Sequence, residues 1–133
     1  RLQEIKSGKL KELVKKNKLI VDGSHNEDGA RVLNEYLQNL DCNKHVIISM
    51  MANKEHEKYI SYFKDISSIT TIDLKTQPNS ISGKDLKEKF KIMPNVQYQS
   101  SIKQAITSIN LKEGDLLLIT GSLYGAAEVL SLN

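Results

Sequence analysis

The chain has 133 residues, a mass of 15.0 kDa and a net charge of +3. Its 39% apolar and 26% charged residues fall in the globular range, which excludes a disordered or collagen-like chain. Basic residues are scattered among acidic ones instead of forming one run, so we expect no nucleic-acid partner. The length suits one domain with its own core, and we take residues 1–133 as a single domain.

Cysteine use and hydropathy bear on the compartment. Cys42 is the only cysteine, so no internal disulfide can form, and a reducing compartment, the cytoplasm, is the natural interpretation. The longest apolar stretches are far shorter than the roughly 20 residues that cross a bilayer, so we expect no membrane span. The chain begins at Arg1, without Met and without a signal-peptide pattern, and we treat it as a possible fragment.

Short β-type runs alternate with amphipathic helical patterns, which predicts a Rossmann-like α/β fold with a mostly parallel sheet and helices on both faces. In chain order the predicted elements are strand 18–22, helix 26–40, strand 45–50, helix 56–64, strand 68–74, helix 82–91, strand 95–99, helix 102–109, strand 115–120 and helix 124–130. Residues 2–5 could form an edge strand. Residues 10–16 are too rich in lysine for us to expect deep burial.

Apolar spacing predicts which helix positions face the core. In helix 26–40 these positions are Ala30, Val32, Leu33, Tyr36, Leu37 and Leu40. In helix 56–64 they are Tyr59, Ile60 and Phe63.

Two strand-to-helix turns are where we expect function. Gly23-Ser24-His25 follows the strand that ends at Asp22, and residues 121–124 follow the strand that ends at Thr120. The carboxyl ends of parallel strands share one edge of the sheet, and open α/β sheets bind ligands there. Both turns are therefore predicted to face the same site.

The first turn offers polar groups at a helix start. Free N–H groups there suit a carboxylate or phosphate. Asp22 could hydrogen-bond ribose hydroxyls, and His25 could hold an anionic or amine substrate. In the alternative interpretation Ser24 or Asn26 only caps the helix and His25 is an exposed loop residue. The glycine spacing does not make G-x-G-x-x-G, so a dinucleotide fingerprint is absent.

Two further candidates follow other strands. Lys54 lies just beyond the second strand and could reach a ligand carboxylate, although most lysines are simply solvated. Ser122 does not sit in G-x-S-x-G, so we expect a hydroxyl that hydrogen-bonds a substrate rather than a nucleophile. The spacing of the three histidines is poor for a metal, and no P-loop motif is present.

Taken together, these motifs resemble the C-terminal domain of folylpolyglutamate synthase/dihydrofolate synthase, in the Mur ligase superfamily. Residues 19–26 (LIVDGSHN) are similar to that family's strand ending in Asp-Gly-Ala-His-Asn-Pro, and residues 121–124 match its Gly-Ser-Leu-Tyr turn. Arg1-Leu2-Gln3 resembles the end of the family's Gly-Arg-Leu-Glu/Gln segment, and Asn53-Lys54-Glu55 its Asp-Lys-Asp. The resemblance covers essentially the whole chain and implies a Mur ligase C-terminal type of fold.

The resemblance also implies an activity. The family's enzymes are ATP-dependent, and the amine of L-glutamate attacks an acyl phosphate of folate or dihydropteroate. The P-loop and the Mg²⁺ ligands would lie in a central ATPase domain upstream, missing here. By position, Arg1 would contact ATP phosphate, and Asp22 would contact the ribose or belong to the network on the ATP side. His25 and Ser122 would position glutamate, with Lys54 a further candidate.

Three departures from the family pattern keep alternatives open. Glu27 replaces the usual Pro, Ser24 replaces the common Ala, and Asn53 and Glu55 replace an Asp pair. A cell-wall precursor ligase of the Mur type is the nearest alternative within the class. A stand-alone Rossmann-like binding module, whose strand-end residues are only caps, is the alternative from another class.

Overall fold

A computed structural model describes residues 2–91 and 93–133, which form a six-stranded sheet with helices on both faces. The strands are β1 (Gln3–Ile5), β2 (Lys18–Val21), β3 (Lys44–Ile48), β4 (Ser68–Ile72), β5 (Val96–Gln99) and β6 (Leu116–Thr120). The helices are α1 (Lys9–Val14), α2 (Glu27–Gln38), α3 (His56–Ile60), α4 (Gly83–Glu88), α5 (Ile102–Ser108) and α6 (Leu123–Leu132). None of the described helices is both long and apolar enough to cross a membrane.

The sheet order is β1-β2-β6-β3-β4-β5, with only β1 antiparallel to its neighbour. The chain crosses the sheet in one direction from β2 through β3 and β4 to β5, and then returns to β6, which lies between β2 and β3. The carboxyl ends of the five parallel strands share one edge. The expected Rossmann-like, mostly parallel α/β fold is therefore confirmed, and its reversal point lies at β6.

Each face of the sheet carries its own apolar cluster, because successive strand residues point to opposite faces. On one face, α2, α3 and α4 cover the sheet with Leu33, Leu37, Tyr59, Phe63 and Leu86 among the buried side chains. On the other face, α1, α5 and α6 do so with Leu10, Val14, Ile102, Ile106 and Val129. In β6, Leu116 and Leu118 face the first cluster and Leu117 and Ile119 the second.

Two expectations about burial were wrong. Residues 9–14 form a helix in which Leu10 and Val14 are 4% and 2% exposed, because their i, i+4 spacing aims both at the sheet while Lys15 and Lys16 stay in solvent. In α2, Val32 is 52% exposed and Asn34 is buried instead, because the buried stripe follows Ala30, Leu33 and Leu37.

Candidate functional site

An open cleft of about 710 Å³ lies at the carboxyl edge of β2, β6, β3 and β4. Four segments, one after each of these strands, form its walls. Its lining residues are His25, Met51, Ala52, Asn53, Lys54, Pro78, Asn79, Ser80, Ser122, Leu123 and Tyr124. The structure thus brings His25, Lys54 and Ser122 into one cleft, although they are distant in sequence.

The turn that carries His25 is held by local hydrogen bonds. The Ser24 N–H donates to Asp22 Oδ2 at 3.1 Å, and His25 Nδ1 lies 3.1 Å from the Gly23 carbonyl oxygen. Because a carbonyl only accepts, Nδ1 carries the hydrogen, and in the neutral ring Nε2 is left as an acceptor. Asn26 caps α2 by accepting from the Gly29 N–H, as the capping interpretation predicts. His25, which that interpretation takes as exposed, is half-buried.

Ser122 is buried, at 1% exposure, and is the N-cap of α6. Its Oγ accepts from the N–H groups of Tyr124 at 3.0 Å and Gly125 at 3.3 Å. The hydroxyl retains its one hydrogen to donate. Gly121 precedes it with φ +106°, a conformation that suits glycine.

The loop that carries Lys54 is joined to a wall that the sequence did not predict. Met51 pairs with Ser80 in an isolated antiparallel bridge, and the Ala52 N–H donates to the Asn79 carbonyl at 2.8 Å. This pairing brings residues 78–80 to the cleft. A two-residue bridge between loops leaves no periodic pattern in the sequence, so nothing there could have indicated it.

The electrostatics of the cleft favour an anion. Its described lining contains no Asp or Glu, and Lys54 is the one Lys or Arg in it. The amino ends of α2 and α6, whose caps are Asn26 and Ser122, add partial positive charge at the His25 and Ser122 walls. A ligand carboxylate or phosphate therefore fits this cleft better than a cation does.

Three hydroxyl groups lie beneath the cleft. Tyr59 Oη is 2.9 Å from Ser24 Oγ and 2.9 Å from Thr120 Oγ1, and those two oxygens are 3.4 Å apart. Tyr59 is fully buried, and burial raises the pKa of its phenol despite its hydrogen bonds with Ser24 and Thr120, which lower it. The phenol is therefore neutral at any physiological pH. We call these residues the hydroxyl cluster.

Neither of the two residues expected to contact ATP is part of the described lining of the cleft. Asp22 is 4% exposed at the end of β2 and is outside the described lining of the cleft. Arg1 lies outside the described residues. Among residues 2–91 and 93–133, no group of three or more His, Cys, Asp or Glu side chains could hold a metal ion.

The other two histidines lie elsewhere. His56 Nε2 lies 2.9 Å from the Met51 carbonyl oxygen, so it donates there and secures the Lys54 loop. His45 is at the opposite edge of the sheet, between Ser68 Oγ at 2.7 Å and Asp115 Oδ2 at 3.0 Å. Burial raises the pKa of the Asp115 carboxyl, but hydrogen bonds from the Lys112 N–H and from His45 lower it, and its net pKa is below the ordinary value.

A family model described as the Mur ligase, glutamate ligase domain matches residues 10–123. The chain therefore belongs to this family of ligase domains, and the resemblance carried by its two turn motifs is confirmed. A search of curated proteins finds no match.

Solved structures show where the fold recurs. Mycobacterium tuberculosis folylpolyglutamate synthase, complexed with ADP and AMPPCP, matches with a TM-score of 0.79 and 16% identity over 90% of this chain and 30% of that one. E. coli FolC, in complex with DHPP and ADP, matches with a TM-score of 0.75 and 22% identity over 86% of this chain and 28% of that one. The Yersinia pestis bifunctional folylpolyglutamate synthase/dihydrofolate synthase, complexed with AMPPNP and Mn ion, matches with a TM-score of 0.73 and 19% identity. The match covers 86% of this chain and 28% of that one. The chain thus spans less than a third of these proteins.

Proposed function

We propose that this chain is the C-terminal domain of an ATP-dependent ligase that adds L-glutamate to folate or dihydropteroate. ATP phosphorylates a carboxylate of the acceptor, and the glutamate amine then attacks the acyl phosphate and displaces phosphate. The domain helps to bind ATP and glutamate and is inactive alone, since phosphoryl transfer needs a P-loop and Mg²⁺. Those groups would belong to an ATPase domain upstream of Arg1.

One observation carries this proposal: His25, Lys54 and Ser122 meet in a single cleft without a described carboxylate in its lining. An amino acid that is to be joined through its amine presents both an ammonium and carboxylates. A cleft with one cation, a histidine acceptor and a serine donor offers a partner to each of these groups. The match in charge and in hydrogen-bonding type favours an acidic amino acid over a neutral or basic one.

Each of the three side chains then has a role. The Lys54 ammonium pairs with a glutamate carboxylate, and the Ser122 hydroxyl donates its free hydrogen to a carboxylate. His25 Nε2 accepts a hydrogen bond from the glutamate amine, because Nδ1 is held by the Gly23 carbonyl. None of them forms or breaks a covalent bond. They orient the amine beside the acyl phosphate, so their contribution is one of proximity.

We assign the nucleotide contacts to two other residues. Asp22 would bind the ribose side of ATP and Arg1 a phosphate. Closure of this domain over the ATPase domain would bring the two halves of the site together and gate the reaction. The similar structures were solved with ADP, AMPPCP or AMPPNP, which supports a nucleotide in the complete site.

The acceptor is proposed from the motif resemblance and from these relatives, one of which was solved with DHPP. The test is ADP formation by the intact natural protein with ATP, Mg²⁺, L-glutamate and either dihydropteroate or folate. We expect ADP release that requires both glutamate and one of these acceptors. ADP release only with a cell-wall precursor would replace the folate acceptor by the Mur alternative. No amino-acid-dependent ADP release would favour a binding module.

A further inference from the structure

One short helix, α3, is hydrogen-bonded to two of the four walls of the cleft and to the last residue of the strand that leads into a third. His56, its first residue, donates from Nε2 to the Met51 carbonyl in the Lys54 loop. Tyr59, one turn later, reaches Ser24 in the His25 turn and Thr120 at the end of β6. The segments that carry His25, Lys54 and Ser122 are therefore connected through two side chains of one helix.

The contacts of Tyr59 are specific to a phenol. Its ring is buried among apolar side chains, with the Phe63 ring centroid 5.5 Å away. A hydroxyl buried there is unfavourable unless it is hydrogen-bonded. A phenol hydroxyl can both donate and accept, so the Tyr59 oxygen joins Ser24 and Thr120 with directional bonds at 2.9 Å each. Phenylalanine would fill the same space and make neither bond.

We propose that Tyr59 is a positioning residue for the amino-acid site. Its hydroxyl sets the separation between the turn after β2 and the turn after β6, and so between His25 and Ser122. Ser24 is the residue before His25, and Thr120 lies two residues before Ser122. This inference rests on the proposed function and adds to it a residue that does not line the cleft and does not touch the substrate.

Loss of the Tyr59 hydroxyl should impair the attack of the glutamate amine but not the formation of the acyl phosphate. Attack on an acyl phosphate depends steeply on the placement of the nucleophile. Without the Tyr59 hydroxyl, the turns keep the 3.4 Å contact of Ser24 with Thr120 and the backbone bond from the Asp22 N–H to the Ile119 carbonyl at 2.9 Å. They lose their strongest side-chain link, so the side chains that they carry can shift relative to each other. Formation of the acyl phosphate should be unaffected, because it does not use the amino-acid cleft.

The test compares two nucleophiles in the intact natural protein and in its Tyr59→Phe variant. L-glutamate needs the cleft, whereas hydroxylamine is small enough to trap the acyl phosphate as a hydroxamate without it. We expect kcat/KM for L-glutamate to fall by about tenfold in Tyr59→Phe, while hydroxamate formation stays at the wild-type rate. A purely structural role would lower both rates or neither.

Matched variants complete the design. Tyr62→Phe is the control, because Tyr62 also loses a phenol hydrogen bond, to Glu27 at 2.9 Å, away from the cleft. Thr120→Val removes the other end of the link and should reproduce the glutamate defect. The Tyr59→Phe and Thr120→Val effects should combine to less than their sum, since both break one connection.

The outcomes separate the two proposals. If the wild-type protein gives neither ADP release with glutamate nor hydroxamate, the proposed function fails and this inference falls with it. If the wild type is active and Tyr59→Phe and Thr120→Val both leave kcat/KM for glutamate unchanged, the positioning role is wrong while the function stands. If Tyr59→Phe does not fold, Thr120→Val decides alone.

Discussion

Gly121 lies against the backbone carbonyl oxygen of Ser49, so close that a β-carbon on Gly121 would overlap that oxygen. This contact joins the ends of β6 and β3, the two central strands whose following loops carry Ser122 and Lys54. Gly121 also has φ +106°, which L side chains rarely adopt. The close approach of these two residues is what allows the Ser122 turn to lie over the central strands.

Gly121→Ala should therefore be strongly destabilising. We expect the free energy of unfolding to fall by at least about 3 kcal/mol, as backbone strain and a clash with backbone add together. Gly114→Ala is the matched control, because Gly114 has φ +88° and an added β-carbon would meet no described atom within 4 Å, so it should cost only about 1 kcal/mol. Urea unfolding measures both, and equal losses would contradict the steric argument.

Lys54→Gln should weaken the use of glutamate without a loss of stability. The substitution removes the one cation of the described lining, so KM for L-glutamate in the intact natural protein should rise by about tenfold. Lys58→Gln serves as the control, since Lys58 is exposed and pairs with Glu55 outside the lining. A similar KM for both variants would remove Lys54 from the site.

Ser122→Ala should have two effects that a second serine can separate. Loss of the N-cap should cost about 1 kcal/mol of unfolding free energy, and KM for L-glutamate should rise as well. Ser101→Ala removes the equivalent cap of α5, where Ser101 Oγ accepts from the Gln104 N–H at 3.2 Å, and should cost a similar free energy with KM unchanged. If KM is unchanged in Ser122→Ala too, Ser122 is only a cap.

The lowered pKa of Asp115 makes part of the stability depend on pH. The carboxylate form is favoured in the folded chain, so its contribution is complete above the unfolded pKa of about 3.9 and is lost as pH falls through the lower folded pKa. Asp115→Asn should be less stable than wild type at pH 7, and the difference should shrink toward pH 2. Urea unfolding across this range, with the exposed Asp41→Asn as control, checks the prediction. A constant difference for Asp115→Asn would contradict it.

Leu10→Ala tests the burial of α1. Leu10 is 4% exposed, so its truncation should leave a cavity and cost about 3 kcal/mol. Leu13, on the same helix, is 38% exposed, and Leu13→Ala should cost less than about 1 kcal/mol. Thermal or urea unfolding of the two variants gives the comparison. Equal costs would mean that α1 does not pack as described.

Sequence patterns were sufficient for much of this architecture. The parallel strands and the two turns after Asp22 and Thr120 could be predicted, because alternating strand and helix patterns place the carboxyl ends of strands at one edge. The cleft wall at residues 78–80 and the burial of Leu10 could not be predicted. The first depends on a pairing of two loops, and the second on two apolar positions within a lysine-rich segment.

The hydroxyl cluster illustrates the same limit. Helical spacing predicts the burial of Tyr59, but its bonds to Ser24 and Thr120 span 35 and 61 residues of sequence. Hydroxyl pairing at such separations has no periodic signature in a single sequence. Local chemistry thus indicated which turns matter, whereas the connections between those turns became visible only in the folded chain.

The proposed function requires that the cleft between His25, Lys54 and Ser122 takes L-glutamate. A crystal structure of the intact natural protein with ADP and L-glutamate tests it most directly. We expect the amino acid in this cleft, with a carboxylate on the Lys54 ammonium and its amine at His25 Nε2. Glutamate bound at another place, with this cleft left to solvent or to the acceptor, would contradict the account.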